Sequence, residues 1–322
     1  MTRPRLIVTR RWPAEVECAL AERFDARFNA DDHPFTCDEM RTALASCDAL
    51  LATVSDRIDA DVLGTAPSAR LIANYGVGYS HIDIDAATAR GIAVTNTPDV
   101  LTDCTADLAI TLMLMVARRA GEGEREVRSG NWTGWRPTHM IGTKVSGKTL
   151  GLIGMGRIAR AVAMRAQHGF GMKIVFFNRS RVPAETLAGL AARQCDSVEE
   201  VLGEADFVSL HCPGGAATRH LINRERLALM GRDAFLINTA RGEVVDEAAL
   251  VEALRNGTIA GAGLDVFEAE PKVSEGLLAL ENVVLLPHLG SATRETRVGM
   301  GMRVLANVEA FFAGRTPPDR VV

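Results

Sequence analysis

Three apolar runs in the C-terminal half of the chain stop at residues that can do chemistry: Asn238-Thr-Ala-Arg241-Gly, Gly263-Leu-Asp265-Val-Phe-Glu268-Ala-Glu270-Pro271 and Leu286-Pro-His288-Leu-Gly-Ser291. Taken singly, Arg241 reads as a surface loop cation, Glu270 as a turn residue before proline and His288 as a histidine closing a strand. Taken together they supply a cation for a carboxylate, a proton donor, and an acid to orient and charge that donor. Hydride transfer to a carbonyl needs that set. Open α/β sheets bind ligands at the carboxyl ends of their strands, so the three turns are expected to converge on one ligand.

A fourth run, Thr149-Leu-Gly-Leu-Ile153, enters Gly154-Met155-Gly156-x-x-Ala159 and then a helical pattern. Strand, glycine turn and helix in this order form the dinucleotide fingerprint in its proper context. Gly154 permits the tight turn, Gly156 leaves room for the pyrophosphate, and Ala159 lets the helix approach the sheet. The amides of Arg157 and Ile158 then face the phosphates at the positive end of the helix dipole. The next strand, Lys173 to Phe177, ends in Asn178-Arg179-Ser180, and 178 − 156 = 22 residues separate this end from the second glycine of the turn. The ribose contact falls there. An acid at 178 would take the ribose hydroxyls of NAD and repel the extra phosphate of NADP. Asn178 is not an acid, and Arg179 and Ser180 offer a cation and a hydroxyl donor. The reading favours NADP(H), with NAD(H) as the alternative cofactor; a solvated surface charge is the plainer account of Arg179.

These turns need a scaffold. The 322 residues suit roughly two domains, and 47% hydrophobic with 24% charged residues is the composition of a chain with a substantial core. A net charge of −4 excludes the basic excess that nucleic-acid or polybasic membrane binding requires. The six cysteines (18, 37, 47, 104, 195 and 212) form no CxxC pair and no Cys/His cluster, so neither a disulfide framework nor a metal site is expected. The longest apolar stretch, Ala109 to Ala117, is far below the roughly 18 to 20 residues that span a bilayer. A cytoplasmic protein is expected.

Short apolar runs alternate with helical patterns from end to end, which predicts an α/β fold of parallel sheets covered by helices. The first series of strands is Arg5 to Thr9, Ala49 to Val54, Leu71 to Asn74 and Ile92 to Thr95, with helices near Pro13 to Phe24 and Asp83 to Arg90. A long helix from about Thr105 to Arg119 and a loop holding Trp132 and Trp135 lead to a second, larger series. That series comprises Thr149 to Ile153, Lys173 to Phe177, Phe207 to Leu210, Phe235 to Asn238, Ile259 to Leu264 and Asn282 to Leu286. Ser197 and Glu200 read as a capping box, and Asp246 opens a helix that Gly257 can close. The last helix, about Ala292 to Ala313, has no sheet of its own and is expected to return to the first. The predicted division is residues 1–98 with 291–322 as a substrate domain, and 99–290 as a dinucleotide-binding domain.

The ordered motifs of the glycine turn, Ile237-Asn-Thr-Ala-Arg-Gly-Glu-Val-Val-Asp246, Gly263 to Pro271 and Leu285 to Thr293 resemble the D-isomer-specific 2-hydroxyacid dehydrogenases. Within that family they are most similar to the glyoxylate/hydroxypyruvate reductases. Asn74-Tyr-Gly76-Val-Gly78-Tyr, Asn96-Thr-Pro-Asp-Val100, Thr105-Ala-Asp-Leu-Ala and His211-Cys-Pro213 extend the resemblance over nearly the whole chain. It implies a larger Rossmann domain inserted into a smaller flavodoxin-like domain, a small 2-oxo or 2-hydroxy acid substrate, and a homodimer. By the same resemblance Arg241 would grip the substrate carboxylate, His288 would be the acid/base, and Glu270 would be its partner, favouring the imidazolium. The backbone at Val77 and Gly78 is similar to the family's carboxylate-binding turn, beside which Leu51 and Val54 would line the pocket. Thr105, His211, Cys212, Pro213, Thr239, Ala240 and Gly290 fall on positions bordering the cofactor in relatives, and Asp265 on one near the nicotinamide. Phosphoglycerate dehydrogenases, and corepressors that sense NAD(H), share the fold and are the rival readings.

Overall fold

The computed structural model describes residues 3–64 and 67–322, and the chain divides into two compact units, Met1–Leu101 with Ser291–Val322 and Thr102–Gly290. Among the described residues every named strand belongs to one of two sheets, and all pairings within them are parallel.

The first unit holds β1 (Arg5–Val8), β2 (Asp25–Arg27), β3 (Ala49–Thr53), β4 (Leu71–Tyr75) and β5 (Ala93–Thr95), in the order β2-β1-β3-β4-β5. This is the flavodoxin-like order, which reverses direction between β1 and β3. All five residues of β4 are buried, as expected of a central parallel strand covered on both faces, and its sequence, apolar but for Asn74, accordingly shows no alternation. The helix Arg294–Phe312 packs on β4 and on the helix Ala14–Arg23. Behind it the C-terminal segment closes on β5: the Val321 amide donates to Val94 O at 2.7 Å.

The second unit holds β6 (Thr149–Ile153), β7 (Lys173–Phe177), β8 (Ala192–Gln194), β9 (Phe207–Leu210), β10 (Phe235–Asn238), β11 (Gly261–Leu264) and β12 (Val283–Leu285). Their order is β12-β11-β10-β9-β6-β7-β8. Six of these strands reproduce the Rossmann order, with the reversal between β6 and β9. Helices Thr102–Ala117 and Arg157–Phe170 cover one face over Leu150, Leu152, Phe176 and Ile237. Helices Val198–Glu204 and Glu247–Arg255 cover the other over Val208, Leu210, Leu236 and Leu264.

Several local readings change. The Ser197 side chain caps its helix, accepting from the Glu200 amide at 3.1 Å, but the Glu200 carboxylate turns back to the Asp196 amide at 2.9 Å, so the reciprocal half of the expected box is displaced by one residue. The full box belongs instead to Thr36 and Glu39, ahead of the helix Cys37–Ser46. The long helix begins at Thr102 and ends at Ala117, and a separate helix, Ala120–Arg128, precedes the tryptophan loop.

Candidate active site

In the second unit β10, β11 and β12 are consecutive neighbours, so the turns leaving their carboxyl ends are adjacent. The turn after β10 is built by Asn238: its Nδ2 donates to Arg241 O at 2.9 Å and its Oδ1 accepts from the Ala240 amide at 3.0 Å. Arg241 Nη1 donates to Ala240 O at 2.6 Å. Burial lowers the guanidinium's pKa, and the carboxylates of Glu270 and Glu243 act in the opposite sense. The group stays charged, because an arginine cannot be deprotonated here. The result is a cation largely withdrawn from water, where an anion is held more strongly than at an open surface.

His288 has a left-handed backbone, φ +56°, which a non-glycine residue adopts only under constraint. Asp265 provides that constraint. Its carbonyl accepts from the His288 amide at 3.0 Å, and its carboxylate accepts from the amides of Leu289 at 2.6 Å and Gly290 at 2.8 Å. Burial raises the pKa of Asp265, the two amides opposing the rise. From the far side Thr105 Oγ1 donates to Gly290 O at 3.0 Å. The segment is thus pinned at three consecutive residues.

The imidazole so positioned meets Glu270: His288 Nδ1 lies 2.8 Å from Oε2, and Oε1 accepts from the Phe267 amide at 3.0 Å. Burial alone would raise the pKa of Glu270; the hydrogen bond and charge of His288, the Phe267 amide and the Arg241 cation outweigh it and leave the carboxyl below its usual value. With Nδ1 committed to a carboxylate, Nε2 is the nitrogen left to exchange a proton.

The glycine turn leaves β6 at the reversal point. Gly154 has φ +91°, and a Cβ there would lie 2.8 Å from His211 O at the end of β9, so a side chain is excluded by conformation and by space. Gly156 caps the 14-residue helix Arg157–Phe170 with no side-chain hydrogen bond, and a Cβ on it would meet nothing within 4 Å. Helix amides opening on free space are the cradle a phosphate requires. Thr239 Oγ1, at the end of β10, is buried without a partner among the described residues and offers a further polar contact. The residues present therefore fit a bound dinucleotide.

Around this turn Asn178 Oδ1 accepts from the Met155 amide at 3.3 Å while its Nδ2 donates to Ser180 O at 3.0 Å, so Asn178 ties the end of β7 to the turn. Arg179 and Ser180 are exposed. Burial pushes the Cys212 thiol up to about 11, and the charge of Arg179 pulls against that shift. Burial likewise pushes His211 down to about 4, and its Nε2 lies 2.9 Å from Ser209 Oγ. Pro213 follows, exposed. The turn-shaping role of Asn238 and the contact made by Ser209 escape the sequence reading: Asn238 closes its apolar run, Ser209 interrupts one, and that polarity is the only signal either gives. Leu51, Val54, Val77 and Gly78 belong to the first unit, at or just beyond the carboxyl ends of β3 and β4.

A Rossmann sheet with an open glycine turn at its reversal point, and a guanidinium, a carboxylate and an imidazole at neighbouring strand ends, defines a dinucleotide-dependent dehydrogenase. Known proteins make the class specific. The sequence model of the D-isomer specific 2-hydroxyacid dehydrogenase NAD binding domain matches residues 110–290. The chain is 47% identical to a glyoxylate reductase of Thermococcus kodakarensis over 324 residues, covering 99% of this chain and 96% of that one. Among solved structures it is similar to a protein of Thermus thermophilus, with TM-score 0.90, 46% identity, and 99% of this chain and 100% of that chain covered. It is also similar to an NADPH-dependent glyoxylate/hydroxypyruvate reductase of Sinorhizobium meliloti in complex with NADP and malonate, with TM-score 0.87, 36% identity, and 100% and 97% covered. The chain belongs to the D-isomer-specific 2-hydroxyacid dehydrogenase family. It is an NAD(P)-dependent enzyme of that family and acts on a small-molecule substrate. Among the described residues no helix is long and apolar enough to cross a membrane.

Proposed function

We propose that this enzyme reduces glyoxylate and hydroxypyruvate to glycolate and D-glycerate, with NADPH preferred over NADH. The observation that carries the reading is the His288 Nδ1–Glu270 contact of 2.8 Å, with no partner of Nε2 among the described residues and the Arg241 charge felt at Glu270. When bound, the nicotinamide supplies the hydride at C2 of the acid. Arg241 holds the substrate carboxylate and polarises the carbonyl, and His288 Nε2 donates its proton to the developing alkoxide. Glu270 orients the imidazole through Nδ1. Asp265 and Thr105 hold the loop that carries it. The backbone amides of Val77 and Gly78, flanked by Leu51 and Val54, are assigned to the substrate anion.

Cofactor contacts are assigned to Gly154, Met155, Gly156, Arg157, Ile158, His211, Cys212, Pro213, Thr239, Ala240 and Gly290. At the ribose end, the exposed Arg179 and Ser180, with no acid at 178, support the preference for the 2′-phosphate. The NADPH-dependent neighbour from Sinorhizobium meliloti points the same way. We assign substrate handling to residues 1–98 with 291–322 and dinucleotide binding to 99–290, in a cytoplasmic homodimer. Trp135, 82% exposed, and Trp132 suit a contact between subunits.

Steady-state kinetics over a panel of 2-oxo acids with both reduced cofactors tests the reading. Glyoxylate and hydroxypyruvate should give the highest kcat/KM, and Arg179→Ala should reduce the NADPH/NADH ratio about 10-fold. Equal kcat/KM for the two cofactors, or an unchanged ratio in the variant, removes the NADPH preference.

A further inference from the structure

In the turn after β4 the three consecutive carbonyls are held by side-chain amides. Gly76 O accepts from Asn74 Nδ2 at 2.9 Å and from the Thr97 amide at 3.0 Å. Gly78 O accepts from the same Asn74 Nδ2 at 3.0 Å, and between them Val77 O accepts from Asn96 Nδ2 at 2.9 Å. A trans peptide plane carries its C=O and the following N–H on opposite sides, so fixing a carbonyl fixes the next amide. Holding the carbonyls of residues 76, 77 and 78 therefore sets the directions of the amides of Val77, Gly78 and Tyr79. No group among the described residues accepts from the amides of Val77 or Gly78.

The braces are themselves fixed. Asn74 is fully buried, and both partners of its Nδ2 are acceptors, which determines which end of the side-chain amide is nitrogen. Its Oδ1 is buried with no partner among the described residues. An amide retained at that cost acts through its NH2 end. A Cβ at Gly76 would lie 2.8 Å from Val54 Cγ1 and 3.4 Å from Asn74 Nδ2, so glycine is needed for the turn to reach its brace. Asn96 is secured from the C-terminal segment. Its amide donates to Asp319 O at 3.2 Å and its carbonyl accepts from Asn307 Nδ2 at 3.3 Å. Asp319 is in turn gripped by Arg303 at 2.6 and 2.7 Å and by Asn307 Nδ2 at 3.0 Å.

We propose that Asn74 and Asn96 are positioning residues for an anion-binding turn, holding the carbonyls of Gly76, Val77 and Gly78 so that the Val77 and Gly78 amides are presented to a carboxylate. This rests on the reading of that turn, under Proposed function, as a receiver of the substrate carboxylate. A row of oriented amides attracts an anion only while the carbonyls between them stay turned away. The braces supply that condition without touching the ligand.

The test uses the full chain saturated with NADPH, varying glyoxylate and using oxamate as competing carboxylate. Asn96→Ala should raise the KM for glyoxylate and the inhibition constant of oxamate together, each about 10-fold, with kcat changed less than about 3-fold and the Kd for NADPH unchanged. Asn74→Ser should do the same. Asn74 is the more deeply buried, so if that variant fails to fold, Asn96→Ala decides. Unchanged KM and oxamate inhibition in folded Asn96→Ala overturn the proposal, as does a parallel loss of NADPH affinity, which a merely structural role would produce. Val77→Pro, which deletes one of the amides, separates the two readings. If it raises KM and Asn96→Ala does not, the turn receives the carboxylate but the bracing role is lost. If it leaves KM unchanged, the carboxylate reading fails and the bracing role fails with it.

Discussion

Two histidine–glutamate pairs lie on one turn of the second unit, and they are alike in most respects. Glu268 pairs with His220 at 2.7 Å and Glu270 with His288 at 2.8 Å; both histidines have left-handed backbones, φ +49° and +56°. The nitrogen used differs. His220 spends Nε2, the tip of its ring, on Glu268, and the same carboxylate oxygen takes Arg219 Nη2 at 2.8 Å. His288 spends Nδ1, next to the backbone, and keeps the tip free, while the second oxygen of Glu270 is fixed by the Phe267 amide. A carboxylate can act on the proton of its histidine only if the opposite nitrogen can reach a substrate. Contact distance alone does not distinguish an acid/base pair from a surface clasp; the choice of nitrogen and the company of the carboxylate do.

The comparison predicts its largest effect at the tip of His288. His288→Ala should lower kcat/KM for glyoxylate by about 10²- to 10⁴-fold, with the Kd for NADPH unchanged, measured by initial rates and by cofactor fluorescence titration. A fully active variant would remove the acid/base assignment. Glu270→Gln comes next. It keeps the length of the side chain but removes the negative charge beside Nδ1, so kcat should fall about 10-fold. The sign of the pH effect follows from the same charge. In the parent it is lost only as pH falls through a value below the usual carboxylate range, so the acidic limb it gives a kcat/KM–pH profile should be absent in Glu270→Gln; an acidic limb shared by both would mean that Glu270 only orients the ring.

The convergence of Arg241, Glu270 and His288 was legible because β10, β11 and β12 are neighbours in the order they occur along the chain, so three motifs consecutive in sequence end at adjacent points in space. Strands β6, β7, β9 and β10 were also legible residue for residue, each a buried apolar run bounded by polar or glycine residues. The edge strands β2 and β8 were not. Each is three residues long with no buried position, so neither carries a hydrophobic pattern. The turn at 76–78 was legible only through its glycines and its family likeness. Asn74 and Asn96 open two of the motifs that carry the family likeness, but nothing in the sequence gives either a role; the bracing depends on carbonyls that no composition or periodicity reports. Chemistry done by side chains at strand ends leaves a trace in residue types, whereas chemistry done by backbone amides leaves it in the residues that hold the backbone.

A third histidine sharpens the contrast through stability rather than rate. Among the described residues His211 has no carboxylate partner, only Ser209 Oγ at 2.9 Å, and burial pushes it down to about 4. Unfolded, it titrates near its ordinary value of about 6.5. Between these values the unfolded chain binds the proton and the folded one does not, so stability is full above about pH 6.5 and declines as pH falls toward 4, by at most about 3 kcal/mol. Urea unfolding at pH 7 and pH 4.5 should show His211→Gln losing less stability across that interval than the parent. An equal loss would place the acid sensitivity elsewhere.

The smallest effect belongs to the pair that most resembles His288 and Glu270. His220→Gln keeps a donor able to reach Glu268, whose carboxylate retains Arg219. The clasp is partly exposed, with His220 and Arg219 side chains 36% and 54% accessible, so it contributes little to stability. Neither nitrogen of His220 is required for proton transfer, and kcat/KM for glyoxylate should stay within about 3-fold of the parent at every pH between 6 and 9. A loss approaching that of His288→Ala would show that the free ring tip is not what separates the two pairs.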